Sequence, residues 1–399
     1  MFQAAQTPPR ISTLILLTGI SVLSLNMFLP SLPNIAAEFG VSFGMANLSI
    51  AGFLGVTAVL QIIMGPLSDR YGRRPVLLAG LAVFAIASVG CLLARDIWVF
   101  LFFRVLQGAI VGGMALSRAV VRDMFDERTA ASQLGYISMV MAIAPMTGPM
   151  IGGLLDQTFG WRASFVFFVL AGFGLLVLAW RDLGETNTSP TKTILSQFKA
   201  YPELLRSRRF WGYSICITFS LGAFYIYITG AALVGAAVFE LSPAATGLAV
   251  GAITMGFAFG SFLSGRMSKR YPVFVMTLAG RIVGAAGLLL GLTLVLSGIV
   301  TPISFFAPVI FVGVGNGLTL PAANSGVMSV RPKLAGSASG MAGAMSVAGG
   351  GLLTWATGLL LTPENGAVML LVLILTSVAI SLLAAFYVRW VDMREPVQA

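Results

Sequence analysis

The side chains able to do chemistry are sparse: 14 Asp and Glu, 24 Lys and Arg, and no His in 399 residues. Their densest grouping is Gly65-Pro-Leu-Ser-Asp-Arg-Tyr-Gly-Arg-Arg74, where Asp69 sits among Arg70, Arg73 and Arg74, with Gly65 and Gly72 relieving the backbone on either side. The Asp69 carboxylate is suited to accept hydrogen bonds from a helix N-terminus, and Gly336-Ser-Ala-Ser339 offers one later in the chain. A second grouping is a helical face: Arg104, Gln107, Val111, Met114, Arg118 and Arg122 recur at i, i+3, i+4 and i+7 spacing. Arg104 and Arg118 lie about 21 Å apart along that helix. A guanidinium at bilayer depth is costly, so this face should meet other helices or a wet cavity. On its chemistry alone, Arg104 can serve as a tie to neighbouring backbone carbonyls. Arg118 and Arg122 can also snorkel toward the membrane surface.

The remaining chemistry is excluded by what is missing. Without His, H-E-x-x-H or a pair of acids in mid-membrane, an intramembrane hydrolase or metalloenzyme lacks its parts, and no metal or other cofactor is expected. Without G-x-x-x-x-G-K-[ST], ATP is not expected to be the direct energy source. The acids also avoid the middle of the apolar runs. Glu38, Asp96, Asp156, Glu240 and Glu364 fall at or beyond one set of helix ends, and Asp69, Asp123, Asp126 and Glu127 near the other. The other five belong to the central loop or the C-terminal tail. Asp123, which ends the arginine-bearing helix, is the best-placed protonatable group. Its alternative is a helix-end acid paired with Arg122 or Arg128.

The elements that position these groups must be membrane helices. The chain is 57% hydrophobic and 10% charged, with mean hydropathy +0.94, more apolar surface than a soluble domain can hide. Runs of about 20 residues, each long enough to cross a core of roughly 30 Å, predict twelve helices. Their limits are about 11–32, 44–66, 75–94, 98–121, 130–155, 163–180, 210–236, 244–265, 273–297, 304–328, 335–361 and 367–389. The first run is too long for a signal-peptide core and is followed by Pro30 and Pro33 instead of a cleavage site. Cys91 and Cys216 both fall within apolar runs, so no disulfide is expected.

The net charge of +10 is topogenic rather than a nucleic-acid patch. About 19 of the Lys and Arg fall on one side of the predicted membrane, which by the positive-inside rule is the cytoplasm. Both termini are expected there. The one long hydrophilic segment, 181–209, divides the chain into an N-terminal six-helix half, 1–180, and a C-terminal half, 210–399. A faint repeat supports the division: Leu67-Ser-Asp-Arg-Tyr-Gly-Arg-Arg74 aligns with Leu263-Ser-Gly-Arg-Met-Ser-Lys-Arg270. Duplicated halves that rock about a shared site are a transporter architecture.

These residues carry a family resemblance. Gly65 to Arg74 resembles the loop between the second and third helices of the major facilitator superfamily, which implies a gating role for Gly65, Asp69, Arg70, Gly72, Arg73 and Arg74. Arg104-Val-Leu-Gln-Gly108 resembles that family's fourth-helix motif, which implies proton coupling by Arg104. Ala144-Pro-Met-Thr-Gly-Pro-Met-Ile-Gly-Gly153 resembles its antiporter motif, with Ala144 in place of the first glycine; Pro145, Gly148, Pro149, Gly152 and Gly153 are its elements. Physically, the small residues allow close helix approach and the prolines bend the span. Asn26-Met-Phe-Leu-Pro-Ser-Leu-Pro33, Phe224-Tyr-Ile-Tyr-Ile-Thr-Gly230 and Phe239-Glu-Leu-Ser-Pro-Ala-Ala-Thr-Gly247 are similar to segments of the twelve-span drug:proton antiporters of the Bcr/CflA group. Asn26 departs from the acid that many of those relatives carry.

The resemblance implies an all-helical transporter of the bacterial inner membrane, expected to be a monomer. It would export small apolar or amphipathic toxic compounds by alternating access in exchange for protons, with Asp123 as the remaining acid. Helices one, four, seven and ten should line the cavity, with Asn26, Met114, Arg118, Phe224, Tyr225, Tyr227, Asn316 and Asn324 as substrate-binding candidates. An exporter of one endogenous metabolite or siderophore, a facilitator without proton coupling and a passive channel remain alternatives.

Overall fold

The computed structural model describes residues 9–125, 127–187, 201–267, 270–331 and 334–394. Residues 188–200 of the predicted central connection, and Ser268 and Lys269 of the predicted repeat, lie outside them. Among the described residues twelve long helical rods run in chain order: α1 (Ile11–Phe39), α2 (Phe43–Tyr71), α3 (Arg73–Leu93), α4 (Ile97–Met124), α5 (Glu127–Phe159), α6 (Arg162–Asp182), α7 (Arg208–Ala237), α8 (Pro243–Met267), α9 (Val273–Leu296), α10 (Pro302–Ser329), α11 (Ala335–Leu360) and α12 (Gly366–Arg394). Among the described residues, eleven of these are long and apolar enough to cross a membrane.

Local chemistry fixes where the rods begin. Ser42 accepts a hydrogen bond from the Met45 N–H, and Asp96 from the Trp98 and Val99 N–H groups, each capping a helix start. Thr301 and Ser304 form a reciprocal capping box with Pro302 inside the first turn. One expectation needs correction. The predicted end of the first helix near residue 32 is not an end. Leu29–Ser31 winds as a tight 3₁₀ turn and the helix resumes over Leu32–Phe39. Pro30 and Pro33 occupy first-turn positions of these two segments, where a missing N–H costs nothing. Gly40, at φ 62°, closes the rod instead.

Helices α1 to α6 pack together, as do α7 to α12; the halves meet most extensively where α2 packs on α11 and α5 on α8, and the end of α1 also touches α7 and α8. We call the end carrying Asp69 and its arginines the basic end, and the opposite one the far end. At the far end both seams are tight. The Asn47 side chain donates to the Thr354 carbonyl at 2.6 Å across α2 and α11. A Cβ on Gly44 would lie 2.7 Å from the Gly358 carbonyl oxygen. In the other seam, a Cβ on Gly153 would overlap the Pro243 carbonyl, and one on Gly247 the Pro149 carbonyl. Backbone therefore lies on backbone, a separation only small residues permit. Toward the basic end the α2–α11 seam loosens: a Cβ on Gly343 would still meet Gln61, whereas Gly65 and Gly340 have open space beside them.

Candidate functional site

The arginine face of the fourth helix is built around a buried tie. Arg104 is fully buried, and its guanidinium donates to Gln107 Oε1 at 2.7 Å and to the Ser24 carbonyl on α1 at 2.6 Å. The rings of Phe28 and Phe53 lie 4.3 Å from its central carbon, a cation–π enclosure that partly offsets the loss of water. Gln107 in turn donates to the Ser88 hydroxyl of α3 at 2.7 Å. One charged group thus pins α1, α3 and α4 at membrane depth, using neutral acceptors only.

The other half holds a counterpart that the sequence reading did not single out. Arg281 on α9 is buried and donates to Thr319 Oγ1 at 2.9 Å and to Asn316 Oδ1 at 2.7 Å on α10. The Asn316 amide then donates to the Ser220 carbonyl on α7 at 3.0 Å. The signal available was one arginine in the middle of an otherwise apolar run. Its partners lie on other helices and leave no local pattern.

The basic turn is a second, more exposed network. Arg73 pairs with Asp69, donates to the Ser68 hydroxyl, and reaches Asp123 Oδ2 on the end of the fourth helix at 3.1 Å. Arg70 lies over the Tyr71 ring, and Arg74 donates to the Trp180 carbonyl at 2.8 Å. The segment after α6 docks here too. The Glu185 carboxylate accepts from the Arg73 and Arg74 N–H groups at 2.9 and 3.2 Å, capping α3. Thr186 donates to Asp123 at 3.2 Å, and the Asn187 side chain donates to the Asp69 carbonyl at 2.8 Å. Gly72 is forced twice over: its φ is 98°, and a Cβ there would collide with the Glu185 carboxylate. Glu185 was another residue that spacing alone did not reveal.

The substrate-binding candidates fall into two groups. Met114, Phe224 and Tyr225 are half-buried, and Arg118 and Asn324 are exposed, along the fourth, seventh and tenth helices. Arg118 donates to the Met141 sulfur at 3.0 Å, and Asn324 to the Leu320 carbonyl of its own helix at 2.9 Å. Asn26, Tyr227 and Asn316 are buried instead. Asn26 donates to the Val22 carbonyl at 2.8 Å, and the Tyr227 hydroxyl to the Ala249 carbonyl on α8 at 2.7 Å. The fifth-helix elements cluster at the far end. A Cβ on Gly148 would lie 3.5 Å from the Asn26 Cβ, and one on Gly152 would overlap the Met27 carbonyl. Pro145 and Pro149 sit inside the helix. Among the described residues no group of His, Cys, Asp and Glu is arranged to hold a metal ion.

Comparison with known proteins places this geometry. A family model described as Major Facilitator Superfamily matches residues 14–354. The uncharacterized MFS-type transporter YdgK of Bacillus subtilis (strain 168) is 29% identical over 377 residues, 91% of this chain and 92% of that protein. The chloramphenicol resistance protein of Pseudomonas aeruginosa is 28% identical, covering 92% of this chain and 88% of its own. Multidrug resistance protein D of Escherichia coli (strain K12) is 25% identical, covering 88% and 89%. Among solved structures, a bacterial homologue of the human lysosomal transporter Spinster, inward-facing and unoccupied, superposes with TM-score 0.75 at 17% identity over 96% of each chain. The peptide transporter POT in complex with sulfate gives 0.77 at 13% identity over 97% of this chain and 96% of its own. These two likenesses concern the fold.

Proposed function

This chain belongs to the major facilitator superfamily, and we propose that it exports small apolar or amphipathic toxic compounds across the bacterial inner membrane by alternating access. The observation that carries the reading is the pair of seams. Both are closed backbone to backbone at the far end, and the α2–α11 seam loosens toward the basic end. By the positive-inside rule the basic end faces the cytoplasm, so the state described is a carrier closed to the outside. Rocking of an N-terminal half, 1–180, against a C-terminal half, 210–399, about the connection 181–209 would exchange the open ends. Relatives named for chloramphenicol resistance and multidrug resistance support drugs as the cargo. Half-buried Met114, Phe224 and Tyr225 suit that cargo, because a thioether adapts its shape and aromatic rings stack on flat molecules.

Protons are the proposed counter-ion. Asp123, held by Arg73 and Thr186, changes environment when the basic end closes, and Arg104 fixes the helix that carries it. The same closure lets Asp69 leave Arg73 for the N-terminus of α11, near residues 336–339, latching the halves. Asp69→Asn, which cannot act as that anionic latch, is expected to abolish turnover in liposomes while drug binding by the purified protein is kept. Undiminished transport by the folded variant would contradict the latch. A passive channel is the competing reading, and it predicts flux that does not saturate with drug concentration.

A further inference from the structure

The far-end seam contains an acid that neither reading above uses. Asp156 lies on α5, one turn beyond Gly152 and Gly153, and is only 7% exposed. Its carboxylate accepts from the Asn34 side chain on α1 at 2.8 Å. The Ser31 hydroxyl of α1 lies beside it, buried and without a well-aligned hydrogen bond of its own. Among the described residues, both side chains that hydrogen-bond to this carboxylate are neutral.

At that end Glu38, Arg162 and Asp96 are engaged elsewhere, and the other charged groups, Arg95, Glu240 and Glu364, stand in the connections between helices. On α1, Glu38 is paired with Arg162 at the start of α6 and accepts from Trp161 Nε1 at 2.6 Å. Arg162 also donates to the Ala94 carbonyl at 3.1 Å and covers the Trp161 ring. Asp96 caps the fourth helix. The start of α8, packed on Gly153, presents Pro243 and Ala244, with Glu240 in the connection before it. None of these groups brings a positive charge to Asp156.

We infer that Asp156 is a proton-binding site whose occupancy closes the far-end gate. The argument is a comparison of two states. With α8 seated on α5 and on the Leu29–Ser31 turn of α1, the carboxyl is largely buried, and its lost hydration outweighs the two neutral donors and favours the acid over the anion. When α8 leaves that seat, water reaches the group and the anion is solvated. A proton taken from outside water thus favours closure, and its return to water favours opening. Acid outside the cell would return the emptied carrier to its inward-open state. Asp156 sets which end is open; it does not itself carry the proton across.

This inference rests on the alternating-access reading, so its test reads gate position rather than drug flux. Cys91 and Cys216 are buried, which leaves cysteines introduced at Leu154 on α5 and Leu248 on α8, both exposed, as selective label sites. The label separation would be measured in lipid nanodiscs from about pH 5 to about pH 8. The wild type should lengthen as pH rises, and Asp156→Asn should stay at the short, closed distance throughout. Asn34→Ala, which keeps the acid but removes the hydrogen bond that stabilises its anion in the closed seam, should open no later in pH than the wild type and to a longer separation at the alkaline end. A pH response retained in Asp156→Asn would overturn the proposal. A separation that never changes in the wild type, with drug or without, would instead remove the alternating-access reading beneath it.

Discussion

At the scale of single residues, the two buried arginines are the most demanding feature. Among the described residues neither meets an acid: Arg104 is met by Gln107, the Ser24 carbonyl and two aromatic faces, and Arg281 by Thr319 and Asn316. Such a group holds its helices because removing it strands buried acceptors, each costing about 1–3 kcal/mol. Arg104→Met should therefore destabilise the folded protein by roughly 2–5 kcal/mol, read as a lower unfolding midpoint in detergent. Arg104→Lys should not restore it, because an ammonium cannot reach Gln107 and Ser24 with a rigid fork. Arg104 was legible in the sequence through its spacing to Gln107 and Gly108. Arg281 was not, since Asn316 and Thr319 are distant in the chain. Asp156 was visible only as an acid near a helix end, because its burial depends on the packing of α1 against α5.

At the scale of elements, glycine placement decides how close the seams can come. The order Gly148-Pro149 then Gly152-Gly153 signalled close approach, and the structure identifies the neighbours as the Met27 and Pro243 backbones. Gly153→Ala should hold the far end partly open, at an overpacking cost of about 1–3 kcal/mol. The check is a longer separation between labels at positions 154 and 248, with slower transport. Other elements were less legible. Pro30 and Pro33 read as a stop, yet they restart the helix, because a proline at a first turn and a proline beyond a last turn look alike locally. The docking of Glu185 on the turn at Gly72 joins segments 113 positions apart and has no periodic signature.

At the scale of the whole molecule, twelve rods, the charge asymmetry and the division near the middle follow from hydropathy and from where Lys and Arg may lie. That is why the fold could be read from composition while the seams could not: which helices meet is set by tertiary packing. The central claim is an exchange of drug for protons by a carrier whose acids, among the described residues, all stand near helix ends or in connections. The most direct measurement places the purified protein in liposomes under an imposed pH gradient, with a panel of antibiotics and dyes. Proton movement would be followed in the wild type and in Asp123→Asn. The account predicts drug-dependent proton flux in the wild type and its loss in Asp123→Asn. Drug movement indifferent to the pH gradient would contradict it and leave a carrier that does not exchange protons.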